Sequence, residues 1–227
     1  MQPSFFRKFP LFADLDDREL AEIAAVAKPR RFPMGEVVFY ADQIGDIFYL
    51  IREGQVKVTM TSPEGKEIIL SIMGPGDFFG EMALLDDEPR SATVVATEAL
   101  DVVSIWRNDF LEILAENHTI AKKILAELSR RLRTASSRIE SLATMDVYGR
   151  LARFFIDLAR DAGVPLETGY VAVTRPTHQS IANMIGTSRE TVSRIIHDLM
   201  RQGLLLSEGK TIYLKKTALD QFREESS

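Results

Sequence analysis

Ala121, Leu125, Leu128, Leu132, Ala135, Ile139 and Leu142 follow one another at alternating intervals of four and three. On an α-helix this spacing draws one narrow apolar line, the a/d seam along which two helices wind together. It commits the middle of the chain to one long helix within a helical region from Asp109 to about Thr144. Lys122, Glu127, Arg130, Arg133, Ser137 and Arg138 surround the seam. Such polarity favours contact with one partner helix over burial on all sides, hence a parallel homodimer. The repeat lasts only about three heptads, so a helix lying on its own domain's core is the alternative reading.

The segments on either side differ in period. Between about Lys28 and Trp106, short β-rich runs (Glu36 to Tyr40, Ile47 to Arg52, Gln55 to Thr61, Lys66 to Met73, Thr93 to Thr97, Leu100 to Ile105) are separated by Gly45-Asp46, Glu53-Gly54, Pro63-Glu64-Gly65 and Gly74-Pro75-Gly76-Asp77. Many short strands between glycine turns predict a sandwich or barrel. Before them, Leu20, Ile23, Ala24 and Ala27 stand at helical spacing and predict a short helix packed on that domain. After the seam, Leu151, Phe154, Phe155 and Leu158 give a further helix over Val147 to Ala162, with Asp146 as its N-cap. The fold class is therefore α+β, divided into 1–116, a helix and hinge at 117–145, and 146–227. The 227 residues suffice for two domains of about 100–150 residues each.

Composition removes several classes of function. With no cysteine there are no disulfides, thiolate metal sites or iron–sulfur clusters, and His118, His178 and His197 are too scattered for a metal or haem site. No apolar run approaches the roughly 18–20 residues that cross a bilayer, and no secretory signal is visible, so a cytoplasmic protein without membrane contact is expected. Neither Gly74-Pro75-Gly76 nor Gly80-Glu81 leads into the Lys-Ser/Thr of a phosphate-binding loop. Gly74, Gly76 and Gly80 miss the dinucleotide spacing by one residue, and no enzyme is indicated.

The net charge of −5 conceals an asymmetry. From Thr174 to Lys216 seven cationic residues (Arg175, Arg189, Arg194, Arg201, Lys210, Lys215, Lys216) face three anionic ones (Glu190, Asp198, Glu208), so this stretch carries +4 and the remainder −9. Within it a helix from about His178 to Ile185, a turn at Gly186 and a helix from about Arg189 to Arg201 are predicted, the second capped by Ser188. Val192, Ile195, Ile196 and Leu199 fall on one side of the second helix; Arg189, Glu190, Ser193, Arg194, His197 and Arg201 fall on the other. Arginine can donate twice to guanine and glutamate can accept from cytosine, which suits base reading. A merely solvated face is the alternative.

The stretch Thr177-His178-Gln179-Ser180-Ile181-Ala182-Asn183-Met184-Ile185-Gly186-Thr187-Ser188-Arg189-Glu190-Thr191-Val192-Ser193-Arg194 resembles the helix-turn-helix signature of the CRP/FNR family of bacterial regulators. Phe79-Gly80-Glu81-Met82-Ala83 through Pro89-Arg90-Ser91-Ala92-Thr93 resembles the phosphate-binding cassette of cyclic-nucleotide-binding domains. The resemblance implies an N-terminal jelly-roll-like β-roll, a long dimerisation helix and a C-terminal winged helix-turn-helix with its wing at Ser207 to Leu214. It implies double-stranded DNA as partner, with Arg189, Glu190 and Arg194 reading bases and Thr177, Gln179, Ser188, Thr191 and Lys210 completing the interface. TGTGA-like half-sites in inverted repeat would match a two-fold dimer. RNA polymerase is implied as a further partner, with the Gly163 to Gly169 loop as a candidate surface.

For the effector, the resemblance implies a cyclic nucleotide, cyclic AMP first. Arg90 would pair with the phosphate, assisted by Ser91 and by backbone around Gly80, Met82, Ala83 and Ala92. Glu81 would accept from the ribose 2′-hydroxyl, with Arg131 approaching Glu81. The base would meet Ala135 and Ser136, and here the chain departs from the family pattern: the cyclic AMP receptor branch carries a threonine where this chain has Ala135. Losing one such hydrogen bond costs on the order of 1 kcal/mol. Ser136 and Thr134 keep hydroxyls nearby. Cyclic GMP, a cyclic dinucleotide, or activity without ligand remain as alternatives.

Overall fold

The computed structural model describes residues 1–218, which form two compact units, Met1–Leu132 and a second from Arg133 onward. Two short 3-10 turns, Pro3–Lys8 and Pro10–Phe12, open the first unit. They lead into α1 (Asp17–Val26), whose start is fixed by a reciprocal capping box between Asp16 and Glu19. The strands follow in chain order: β1 (Lys28–Phe32), β2 (Val37–Phe39), β3 (Ile47–Glu53), β4 (Val56–Thr61), β5 (Glu67–Met73) and β6 (Phe78–Phe79). After the short helix α2 (Met82–Leu85) come β7 (Thr93–Ala96) and β8 (Leu100–Trp106).

These strands make two antiparallel four-stranded sheets, ordered β1, β8, β3, β6 and β2, β7, β4, β5. The unbroken apolar run in β3 has a structural reason, because both faces of its sheet are covered. Tyr49 and Ile51 meet Val56, Phe79, Val94 and Val102 between the sheets. Phe48 and Leu50 turn the other way, into a layer built from Phe6, Phe12, Leu20, Phe110, Ile120 and Ile124.

The helical region breaks once. α3 (Arg107–Glu116) ends at Asn117, and α4 (His118–Thr144) begins as the Asn117 side chain accepts the Ile120 amide at 3.0 Å. A side-chain cap of this kind supplies one of the orphan amides of a new helix. Within the first unit, Leu128 is half-buried against the same cluster as Ile120 and Ile124, whereas Leu125 and Leu132 are exposed.

The second unit contains α5 (Val147–Ala162), β9 (Val164–Pro165), β10 (Tyr170–Thr174), α6 (His178–Ile185), α7 (Arg189–Arg201), β11 (Leu205–Glu208) and β12 (Thr211–Lys215). Its sheet runs β11, β12, β10, β9, so the wing hairpin belongs to a four-stranded sheet. Asp146 caps α5 by accepting the Gly149 amide at 2.8 Å. Phe155, Ile181, Ala182, Val192, Ile196, Ile212 and Leu214 share one core. Among the described residues no helix is long and apolar enough to cross a membrane.

Candidate functional site

Each unit holds one cluster of chemistry-bearing residues. In the first, the chain leaves β6 through Gly80, whose φ of +83° lies where a side chain would be strained. A methyl group there would stand 2.7 Å from Arg90 Nη1. Glycine therefore admits the Arg90 guanidinium, which donates from Nη1 to the Gly80 carbonyl at 2.6 Å and from Nη2 to the Ile47 carbonyl at 2.7 Å. Arg90 is 5% exposed, and burial pulls its pKa below the ordinary arginine value, with Tyr49, Asp46 and Glu81 opposing that shift.

Glu81 is buried more deeply still, at 2% exposure. Its Oε1 accepts from Arg131 Nη1 at 3.0 Å, while Oε2 is buried with no hydrogen-bond partner. Burial raises the carboxyl pKa, against the pull of Arg131. Leaving a buried acceptor unmet costs about 1–3 kcal/mol, so this oxygen suits a donor from outside the chain. Arg131 is itself fixed at three points: Nη2 on the Phe78 carbonyl at 2.7 Å, Nε on Glu127 at 2.8 Å, and its face 4.8 Å from the centre of the Phe78 ring.

The remaining cassette residues gather here. Ser91 is exposed, its Oγ 3.7 Å from the Met82 sulfur; Ala83 and Ala92 are buried, and the Ala83 carbonyl accepts from Arg107 at 3.1 Å. Ala135 and Ser136 are exposed on α4, in the second unit. A buried arginine, an exposed hydroxyl and an unmet carboxylate oxygen together suit a ligand that pairs a phosphate with a sugar hydroxyl.

In the second unit, Thr177 caps α6 by accepting the Ser180 amide at 3.1 Å, and Ser188 caps α7 by accepting the Thr191 amide at 3.2 Å. Between them Gly186 takes the left-handed conformation, φ +69°, which ends α6 and turns the chain. Val192, Ile195, Ile196 and Leu199 are buried, while Arg189, Glu190, Arg194, His197 and Arg201 are exposed; Ser193, on the polar side of the wheel, is instead half-buried because it meets His178. Gln179 is exposed and donates to Asn183 at 2.9 Å; Lys210 is exposed in the turn between β11 and β12.

Sequence reasoning missed several contributors. Phe39, Gly45 and Ile47 surround Arg90 from parts of the chain remote in sequence, and no local pattern reveals them. Glu127 stands four residues before Arg131, a spacing that signals a helical ion pair. His178 joins α6 to α7, its Nδ1 2.7 Å from Ser193 Oγ.

A roll that buries an arginine and a carboxylate at one glycine turn, followed in the chain by a capped helix-turn-helix, defines an effector-binding module joined to a DNA-reading one. Comparison with known proteins agrees. Residues 29–117 match the family model of the cyclic nucleotide-binding domain, and residues 149–222 that of the Crp-like helix-turn-helix domain. The Cyclic AMP receptor protein of Thermus thermophilus is 33% identical over 92% of this chain and 94% of its own length. The CRP-like cAMP-activated global transcriptional regulator of Mycobacterium tuberculosis is 33% identical over 90% of this chain and 91% of its own. Among solved structures, the c-di-GMP responsive global regulator CLP of Xanthomonas campestris superimposes with a TM-score of 0.73 at 25% identity, covering 88% of this chain and 99% of that one.

The chain belongs to the CRP/FNR family: it is a cyclic-nucleotide-binding, helix-turn-helix transcription regulator. That family consists of regulators, not enzymes.

Proposed function

We propose that the protein is a homodimeric regulator whose affinity for a TGTGA-like inverted repeat is controlled by cyclic AMP. The observation that carries the effector half is Glu81 Oε2, a buried carboxylate oxygen without a partner in the same cluster as Arg90. A ribose 2′-hydroxyl would satisfy that oxygen while Arg90 and Ser91 hold the cyclic phosphate, with backbone from Gly80 to Ala83 and at Ala92 closing the cradle. Arg131 links Glu81 to α4, so nucleotide held at Glu81 bears on the helix that carries the seam. The relatives from Thermus thermophilus and Mycobacterium tuberculosis are named for cyclic AMP, which supports it as effector.

The dimer reading rests on Leu125, Leu132, Ile139 and Leu142, which are 65%, 68%, 68% and 54% exposed along one helix. Leaving four large apolar side chains in water is costly, and a second copy of the helix would cover them. In such a dimer two copies of α7, presenting Arg189, Glu190 and Arg194, would enter successive major grooves about 34 Å apart. Thr177, Gln179, Ser188, Thr191 and Lys210 would secure the phosphates. An effector that binds one arrangement of the paired helices better than another shifts the population toward it. RNA polymerase is the proposed downstream partner.

A second effector reading has its own observation. Ala135 gives a base no hydrogen-bonding side chain, and the structural relative from Xanthomonas campestris responds to c-di-GMP. The test of both is a titration of the purified protein with cyclic AMP, cyclic GMP and c-di-GMP, following binding to a fluorescent TGTGA-N6-TCACA duplex at fixed salt. Cyclic AMP should raise DNA affinity at least about tenfold, and Arg90→Ala and Glu81→Gln should each remove most of the effect, in line with about 1.5–3 kcal/mol for a hydrogen bond to a charged group. A response to c-di-GMP alone would move the assignment to that nucleotide. Equal DNA affinity with and without every nucleotide would end the switch reading.

A further inference from the structure

We infer that Phe39 and Gly45 form a clamp that immobilises the Arg90 guanidinium before any ligand arrives, making both positioning residues for the effector site. This rests on the reading of Arg90 as the phosphate-binding group. The Arg90 Cζ lies 4.1 Å from the centre of the Phe39 ring, the distance of a cation resting on an aromatic face. Gly45 closes on the same group: a methyl at Gly45 would stand 2.6 Å from Nε, 2.7 Å from Cζ and 2.8 Å from the Ala83 Cβ. The two carbonyl bonds, to Gly80 and Ile47, then fix rotation within the plane of the guanidinium.

Both clamp residues are themselves anchored. Phe39 leans on Tyr49 and Phe79, with ring centroids 6.1 and 5.9 Å away, and Tyr49 and Phe79 stack at 5.0 Å. The loop carrying Gly45 is tied to the Arg90 backbone on both sides: the Asp42 amide donates to the Arg90 carbonyl at 2.9 Å and the Arg90 amide to the Gln43 carbonyl at 2.8 Å. Asp42 holds φ +64° there, an uncommon conformation for a residue with a side chain, maintained by those bonds. A long side chain loses conformational entropy when it grips a ligand, and one ordered beforehand loses less. The clamp thus converts packing in the roll into affinity for the phosphate.

The test uses the full chain and separates aromatic character from bulk. Phe39→Leu keeps an apolar filler but removes the ring face, and Phe39→Trp restores a face. Calorimetric titration with cyclic AMP should show Phe39→Leu binding about 2- to 12-fold more weakly, the range expected when one long side chain must be ordered on binding, and Phe39→Trp recovering most of the loss. Gly45→Ala should weaken binding by more than about tenfold, since its methyl must displace the guanidinium. Equal loss in the leucine and tryptophan variants, or wild-type affinity in Phe39→Leu, overturns the clamp.

A readout without ligand separates this inference from the effector reading. Nuclear magnetic resonance of the Arg90 guanidinium in the ligand-free protein should show slow rotation about Cζ–Nη and ring-current-shifted protons in the wild type. Phe39→Leu should lose the ring-current shift, with rotation faster but still slowed by the two carbonyl bonds, and Phe39→Trp should keep both signatures. A freely rotating Arg90 in the wild type refutes the clamp even if cyclic AMP binds. The bound signature with no nucleotide binding sustains the clamp and removes the effector assignment.

Discussion

At the scale of single residues, His178 shows how a group outside the anticipated sites is drawn into the DNA-reading unit. Its Nδ1 is bonded to Ser193 and its Nε2 is buried without a partner, at the junction of α6 and α7. Burial lowers its pKa from 6.5, and the cations Arg175 and Arg189 push in the same direction. A histidine with a depressed folded-state pKa takes up protons more readily when unfolded, so stability rises with pH across the interval between the two values. Acidification from pH 7.5 to 5.5 is therefore expected to destabilise the wild type more than His178→Gln in thermal melts, with the ring titrating below 6.5 by nuclear magnetic resonance. A His178 ring titrating at or above 6.5 would contradict the account. Neither the pairing with Ser193 nor the burial of Nε2 was legible in the sequence. The partners are fifteen residues apart, and only the turn at Gly186 brings them together.

At the scale of elements, what the sequence revealed follows from how local each signal is. The bounds of α5, α6 and α7 coincide with caps that one or two residues supply: Asp146, Thr177, Gly186 and Ser188. β1 carries no such signal. Lys28-Pro29-Arg30-Arg31 reads as a polar connector and becomes a strand only because β8 offers a partner from Ser104 to Leu100. β6 is two residues long and exists through pairing with Tyr49 and Leu50. β10 alternates buried Val171 and Val173 with less buried neighbours, but its principal partner, β12, is some forty residues away. The cassette motif was legible because Gly80, Glu81, Arg90 and Ser91 are close in sequence; the residues that hold Arg90 still are not. The caps give a prediction at this scale. Ser188→Ala removes the acceptor for the Thr191 amide and should cost about 0.5–2 kcal/mol of stability in denaturant unfolding. DNA affinity should fall as well, because the cap sets the start of the helix that carries Arg189 and Glu190. Unchanged stability and DNA binding would show that Ser188 does not fix that start.

At the scale of the whole molecule, α4 is the element that takes part in both units. Its early turns are committed to the roll: Ile120 and Ile124 are buried, and Leu128 is half-buried against the same cluster. Along the seam Leu125, Leu132, Ala135, Ile139 and Leu142 are exposed. This division makes assembly separable from folding. Leu132 is exposed in the single chain, so Leu132→Asp should leave each unit folded, with circular dichroism close to wild type and an intrinsic cost within the few tenths of a kcal/mol that helix propensity sets, while the melting temperature falls by what association contributes to the wild type. In the dimer the same change would bury two carboxylates facing each other without compensation. Sedimentation should then report a species near 25.5 kDa in place of one of twice that mass. Affinity for the complete inverted repeat should collapse toward that for a single half-site, because only a two-fold pair engages both halves at once. If Leu132→Asp sediments as a dimer and binds the inverted repeat as tightly as the wild type, α4 is not the assembly surface, and the exposed leucines must be covered in some other way.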